Sequence, residues 1–249
     1  MSTIAYLINL DRSTERLTRF YRRNSHLRHV PRWSAVDGAK LDRQQLIASG
    51  RIADDLPYSP GTLGCALSHI ALWEHAVQQD APVTIFEDDV AIHPQFDARV
   101  EQVVAALPPD WDFIQWGATI GFNVNLAAWI DLGRIPVKID GHAPVKWSDE
   151  ESYCQFQKEP IPSAAPMRLL HSYGLFGYSI SAKGARLALE NALPLRKRQI
   201  ILAGRWWMHD NGLDVTMCGL YPQIKAYLCF PQLVIPCLDE SERKATDAA

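Results

Sequence analysis

Apolar runs closed by capping residues and short turns recur through the first half of this chain, and their spacing predicts alternating strands and helices. Ile4 to Leu10 is a continuous apolar run, and Ser13-Thr14-Glu15-Arg16-Leu17 behind it combines a capping hydroxyl with an early acid and an amphipathic continuation. Val30 to Val36 predicts a second strand closed by Asp37-Gly38, and Asp42 to Ala48 a short helix. After Ser59-Pro60-Gly61, the residues Leu63, Leu67, Ile70, Trp73 and Val77 recur at helical spacing, which predicts a helix from Leu63 to Gln79 with that stripe in the core. Cys65, Ser68, His69 and Leu72 occupy its adjoining face.

The next strand, Val83-Thr84-Ile85-Phe86, stops on three acids, Glu87-Asp88-Asp89. A helix from Pro94 to Ala106 and a strand from Asp112 to Gly117 continue the alternation, which argues for an α/β fold with a mostly parallel sheet flanked by helices. From Ala118 to Leu170 the pattern weakens, and recurring prolines with scattered aromatics predict a long, partly irregular insertion of the kind that carries binding loops. Order resumes with a strand from Tyr173 to Ile180, a helix from Ala182 to Asn191 capped by Ser181, and a final core segment from Ile224 to Val234. The charged tail, Asp239 to Ala249, is expected to be flexible.

Composition narrows the function. With 249 residues and a net charge of −3, the chain can bury a large core but has no broad basic field for nucleic acid. Five cysteines at irregular spacings make no disulfide framework and point to a reducing compartment. The first apolar run reads as a strand rather than a leader, and no segment has the length of about 20 apolar residues that a membrane span needs. A cytoplasmic protein is expected, with peripheral membrane contact left open.

A strand that delivers clustered carboxylates at its C-terminal end suits a divalent cation shared with a phosphate-bearing ligand. Alternation along the strand places Glu87 and Asp89 on one side and Asp88 on the other unless the turn begins early, and Asp89 is the first expected ligand of Mn²⁺ or Mg²⁺. A strand closed by an acidic turn with no ligand gives the same pattern. Cys65 and His69, one helical turn apart, suggest zinc, but with no second ligand pair in the sequence zinc is not expected.

Four separated blocks carry a resemblance. Ile8-Asn9-Leu10-Asp11-Arg12 with Arg16, then Ala35-Val36-Asp37-Gly38, then Gly64-Cys65-Ala66-Leu67-Ser68-His69 with Trp73, and Phe86-Glu87-Asp88-Asp89-Val90 together resemble glycosyltransferase family 25, which includes bacterial lipooligosaccharide galactosyltransferases and collagen galactosyltransferases. Tyr178-Ser179-Ile180-Ser181 with Gly184-Ala185, and Gly212 to Met217, resemble its later blocks more loosely. The resemblance implies a GT-A, Rossmann-like domain over residues 1–238, with a nucleotide-sugar and metal half (1–117) and an acceptor half (118–238). It implies inverting transfer of a hexose, most simply galactose, from a UDP-sugar to an oligosaccharide or glycolipid acceptor at the cell surface, with cytoplasmic work at the inner membrane.

By the same resemblance the acidic triplet is a DxD-like metal motif in which Glu87 takes the first acidic place, leaving open whether Glu87 or Asp88 assists Asp89. Asn9, Asp11, Arg12 and Arg16 match the nucleotide-binding opening, Asp37 and Gly38 lie beside the ribose or base, and Ser68 and His69 touch the donor. Inversion needs a general base for the acceptor hydroxyl, and Asp214 is preferred over Asp210 because it falls on a late family block. Asp11 and Arg16 paired on a helix surface, or Asp214 as a helix cap, are the plain alternatives. At the level of function, the alternatives are a catalytically silent nucleotide-sugar-binding module and a metal-dependent nucleotidyltransferase or phosphohydrolase.

Overall fold

The computed structural model describes residues 4–27, 30–119, 128–133, 135–139, 149–202 and 206–237. The first half runs β1 (Ile4–Asn9), α1 (Thr14–Arg23), β2 (Arg32–Ser34), α2 (Arg43–Ala48), α3 (Pro60–Gln79), β3 (Val83–Glu87), β4 (Val90–Ile92), α4 (Phe96–Ala105) and β5 (Phe113–Gln115). The second runs β6 (Ala128–Asp131), β7 (Pro136–Ile139), α5 (Glu150–Lys158), β8 (Ala165–His171), β9 (Gly177–Ile180), α6 (Ala182–Ala192), β10 (Gln199–Leu202), β11 (Trp206–His209), α7 (Leu213–Leu220), β12 (Ala226–Phe230) and β13 (Val234–Pro236).

A nine-stranded sheet in the order β2-β1-β3-β9-β5-β12-β8-β6-β7 takes strands from both halves of the chain. Parallel pairing joins β2, β1 and β3, and also β5 and β12. Between these groups β9 runs antiparallel to β3 and β5, and β8, β6 and β7 extend the far edge antiparallel. The helix-flanked α/β sheet expected of a GT-A fold is present, and the sheet is mixed because β9 intervenes. In register, Asn9 pairs with Ser34 and Ile8 with Glu87, so β1, β2 and β3 all end at one edge.

Both faces of the sheet are covered. Along β3 the side chains alternate: Ile85 joins a core of Leu63, Ile70, Trp73 and Tyr178, and Phe86 joins Leu7, Phe20, Phe96 and Trp116 on the other face. Helix α3 starts where its sequence dictates, with Ser59 Oγ accepting from the Thr62 backbone N–H and Pro60 in the first turn. Its apolar stripe is buried from Leu63 to Trp73, and Val77 is half-buried.

Several expectations change. Between the three acids and the expected helix the chain bends at Asp88 and Asp89 and forms an additional strand, β4, which pairs with β13. The segment from 118 to 170 was expected to be partly irregular, yet its described parts hold β6, β7, α5 and β8. The strand expected from Tyr173 begins only at Gly177, and the last core segment divides into β12 and β13. Residues 239–249 lie outside the described part. No described helix is long and apolar enough to cross a membrane.

Candidate functional site

The shared edge of β1, β2 and β3 opens into a cleft of about 240 Å³. Asn9 and Arg12 reach it from the end of β1, Arg16 from α1, Asp37 and Gly38 from the loop after β2, Cys65, Ser68 and His69 from α3, and Glu87, Asp88 and Asp89 from the end of β3. Four sequence blocks that are far apart along the chain therefore line one concavity.

The acids differ in their surroundings. Asp88 is buried, its Oδ2 accepting from Asn9 Nδ2 at 2.6 Å and its Oδ1 from the Arg16 guanidinium. Arg16 Nη2 also lies 3.3 Å from Asp89 Oδ2. Asn9 is itself held, since its Oδ1 accepts from Arg32 Nε at 2.9 Å and its Nδ2 also donates to the Ser13 carbonyl. Burial together with the Glu87 carboxylate pushes the Asp89 carboxyl up to about 8, and Arg16 opposes this only in part. Arg16 thus faces Asp88 and Asp89 together. Asp88 has a partner on each carboxylate oxygen, and Glu87 and Asp89 beside it are carboxylates of the kind that could hold a hard divalent cation. The bend at Asp88 turns all three acids to the cleft, where strict alternation would have divided them.

Glu87 Oε1 lies 3.1 Å from His69 Nε2, and His69 Nδ1 lies 2.9 Å from the Tyr178 hydroxyl, which accepts from Trp73 Nε1 at 2.8 Å. Tyr178 falls in a loosely matching late block with no site role read from the sequence; its pairing with His69 and Trp73 connects it to the cleft. The Cys65, His69 and Glu87 ligand atoms lie within 4.8 Å of one another, so β3 supplies the third group that the Cys65–His69 pair lacked in the sequence.

The rim is built by close backbone contact. A Cβ on Gly38 would lie 1.7 Å from the Pro60 carbonyl oxygen, and one on Gly64 would lie 2.6 Å from that of Val36, so the loop after β2 rests directly on α3. Ser68 Oγ fastens the same contact by accepting from the Val36 N–H at 2.8 Å and donating to the Gly64 carbonyl at 2.7 Å. Asp37 pairs with Arg12 Nη1 at 2.6 Å, and that guanidinium holds its carboxyl below the usual range.

Not every expected residue reaches the cleft. Asp11 is exposed, pairs with Arg32 and Ser34, and does not line it. Arg32, which sequence reading placed in a plain strand, ties Asp11 to Asn9. Asp210 is buried, its Oδ1 accepting from Tyr58 at 2.6 Å and its Oδ2 from Thr216 at 2.6 Å and Arg198 at 2.8 Å. Asp214 is half-buried in the first turn of α7, where Oδ2 accepts from the Gly174 N–H at 3.2 Å. It follows Gly212, which is the capping residue. Neither aspartate lines the cleft. Trp207 stands exposed on β11.

The chain is also similar to known proteins. The profile of glycosyltransferase family 25 (LPS biosynthesis protein) matches residues 2–199. A glycosyltransferase 25 family member of Aedes aegypti is 35% identical over 204 residues, covering 77% of this chain and 28% of the relative. Procollagen galactosyltransferase 1-A of Xenopus laevis is 27% identical over 206 residues, with the same coverage of 77% and 28%. The inactive glycosyltransferase 25 family member 3 of Homo sapiens is 41% identical over 70 residues, or 24% of this chain and 12% of that protein. The chain thus spans about a quarter of the length of the curated relatives it matches.

Proposed function

We propose, since the chain belongs to glycosyltransferase family 25, that it is an inverting hexosyltransferase that moves galactose from UDP-galactose to a saccharide acceptor on a cell-surface glycolipid. The observation that carries this reading is the convergence of Glu87, Asp88 and Asp89 with Arg12, Arg16 and Asp37 in one cleft at the strand ends. Carboxylates there suit a cation and ribose hydroxyls, and guanidinium groups suit a diphosphate.

In this reading Glu87 and Asp89 hold Mn²⁺ or Mg²⁺, which when bound offsets charge on the leaving diphosphate. Arg12 grips the diphosphate, and Asp37 accepts from ribose hydroxyls. Asn9 and Arg16 hold the buried Asp88 in place. Asp214 takes the acceptor proton, the saturated network around Asp210 leaving that residue a scaffold role.

One observation favours a second reading. Among the relatives are proteins described as inactive, so a nucleotide-sugar-binding module without turnover is the alternative. Measurement of UDP release from a panel of UDP-sugars, with Mn²⁺ or with chelator and with or without saccharide acceptors, decides between them. Release from UDP-galactose that needs the cation and rises with acceptor is the expected result. Binding of UDP-galactose with no release under any condition supports the module, and release of inorganic phosphate from a nucleoside triphosphate would point to another reaction class.

A further inference from the structure

The polar atoms around Glu87 fix the direction of every proton between it and the core. Trp73 Nε1–H can only donate, and its partner is the Tyr178 oxygen at 2.8 Å. Tyr178 has one hydroxyl hydrogen, and the remaining polar atom on it among the described residues is His69 Nδ1 at 2.9 Å. If Tyr178 donates to Nδ1, that nitrogen is an acceptor, the imidazole proton sits on Nε2, and Nε2–H donates to Glu87 Oε1 at 3.1 Å. Every buried group is then satisfied. A proton on Nδ1 would instead make the Tyr178 oxygen accept twice and leave its own hydrogen without an acceptor, a costly state for a group with no exposure.

We propose that Trp73, Tyr178 and His69 form a one-way hydrogen-bond relay that presents Nε2–H to Glu87 and fixes this carboxylate in the cleft, making Tyr178 and His69 positioning residues for the cation ligand. The use of the relay rests on the reading of Glu87 as that ligand; its direction does not. The frame suits the task. Tyr178 faces Ile85 in the β3–β9 register, two residues before Glu87, and its ring stacks on Phe113 at 5.0 Å, so the phenol cannot swing. Burial also keeps the phenol protonated and able to donate. Outer partners of this kind set the affinity of a metal site.

The same direction has a second consequence. With its proton on Nε2, His69 cannot offer that nitrogen to a metal, so Cys65, His69 and Glu87 do not make a soft-metal site in spite of their proximity.

Long-range ¹H–¹⁵N spectra of the histidine rings in the metal-free, donor-free protein test the direction, with His69 assigned by its absence in His69→Gln. The expected pattern is a protonated Nε2 and a bare Nδ1; a protonated Nδ1 overturns the relay, whatever the variants do. Mn²⁺ affinity, read by electron paramagnetic resonance, tests the positioning: Tyr178→Phe, folded by circular dichroism, should weaken it by about 10- to 100-fold. Unchanged affinity in that folded variant overturns the positioning role. Titration with Co²⁺ should show no thiolate-to-cobalt charge-transfer band, and a band lost in Cys65→Ser overturns the exclusion of the soft-metal site. If the wild-type chain binds no Mn²⁺, the cation reading fails, and the histidine spectrum still decides the relay.

Discussion

Asn9 Nδ2 donates to Asp88 Oδ2 at 2.6 Å, joining the end of β1 to the end of β3 beneath the cleft. The bond links two blocks 79 positions apart and places an amide against a buried carboxylate, which Arg16 holds from the other side. Asn9→Ala should lower stability by about 1–3 kcal/mol, because a buried acceptor loses its donor. Asn9→Asp should do more harm, since it sets a second carboxylate against Asp88. Urea unfolding of the three proteins checks the order, and a variant as stable as the parent would show that the bond contributes nothing.

The raised Asp89 carboxyl makes stability depend on pH in a defined direction. Its folded value, about 8, lies above the ordinary 3.8, so between these the folded chain binds more protons than the unfolded one. Its contribution is therefore complete at low pH and lost as pH rises toward about 8. In metal-free protein, Asp89→Asn should match the parent's melting temperature near the lower bound and exceed it near the upper. A cation bound at 100 times its Kd should restore about 2.7 kcal/mol to the parent and little to the variant. Thermal melts across pH with and without Mn²⁺ check both, and a gap that does not widen with pH contradicts the crowding of Asp89.

What could be read in the sequence follows from how each feature writes itself there. Helix α3 was plain because five apolar residues repeat at its period, and the cleft face was plain because Cys65, Ser68 and His69 flank that stripe. Strand β4 was not, since three apolar residues after an acidic bend have no measurable period. Helix α5 hid because only Tyr153 and Phe156 anchor it through large side chains among polar neighbours. In the site, the acids and arginines announced themselves by charge. Tyr178 did not, because its role lies in one hydroxyl on a fully buried strand, visible only once His69 and Trp73 are beside it. Asp11 misled for the converse reason: its carboxylate suits a ligand, but Arg32 and Ser34 arrive from β2 and take it.

Gly38 should tolerate no side chain. A methyl there would overlap the Pro60 carbonyl oxygen at 1.7 Å, and both contacts are backbone, so the loop carrying Asp37 must lift from α3. Gly38→Ala should cost about 1–3 kcal/mol, as overpacking does. It should also raise the KM for the sugar donor more than it lowers kcat, because the displaced group binds rather than reacts. Denaturation and donor kinetics together check this; an unchanged KM would place Asp37 outside the donor site.

Asp210 and Asp214 should part company when each is changed to asparagine. Asp210 accepts from Tyr58, Thr216 and Arg198 in a buried network, so removing its charge leaves the half-buried Arg198 guanidinium without its counterion. A loss of about 3–5 kcal/mol is expected, the cost of breaking a buried pair from one side. Asp214 has one such bond, from the Gly174 N–H, and stands half-buried at the start of α7. Asp214→Asn keeps an oxygen for that bond, so its melting temperature should stay near the parent's. Its binding of UDP-sugar should persist while transfer to acceptor falls by about 10²–10⁴, the usual contribution of a general base. Calorimetric melts, donor binding and transfer assays on both variants separate scaffold from chemistry. Full transfer in Asp214→Asn would move the base to another residue, and a stable, inactive Asp210→Asn would reverse the assignment.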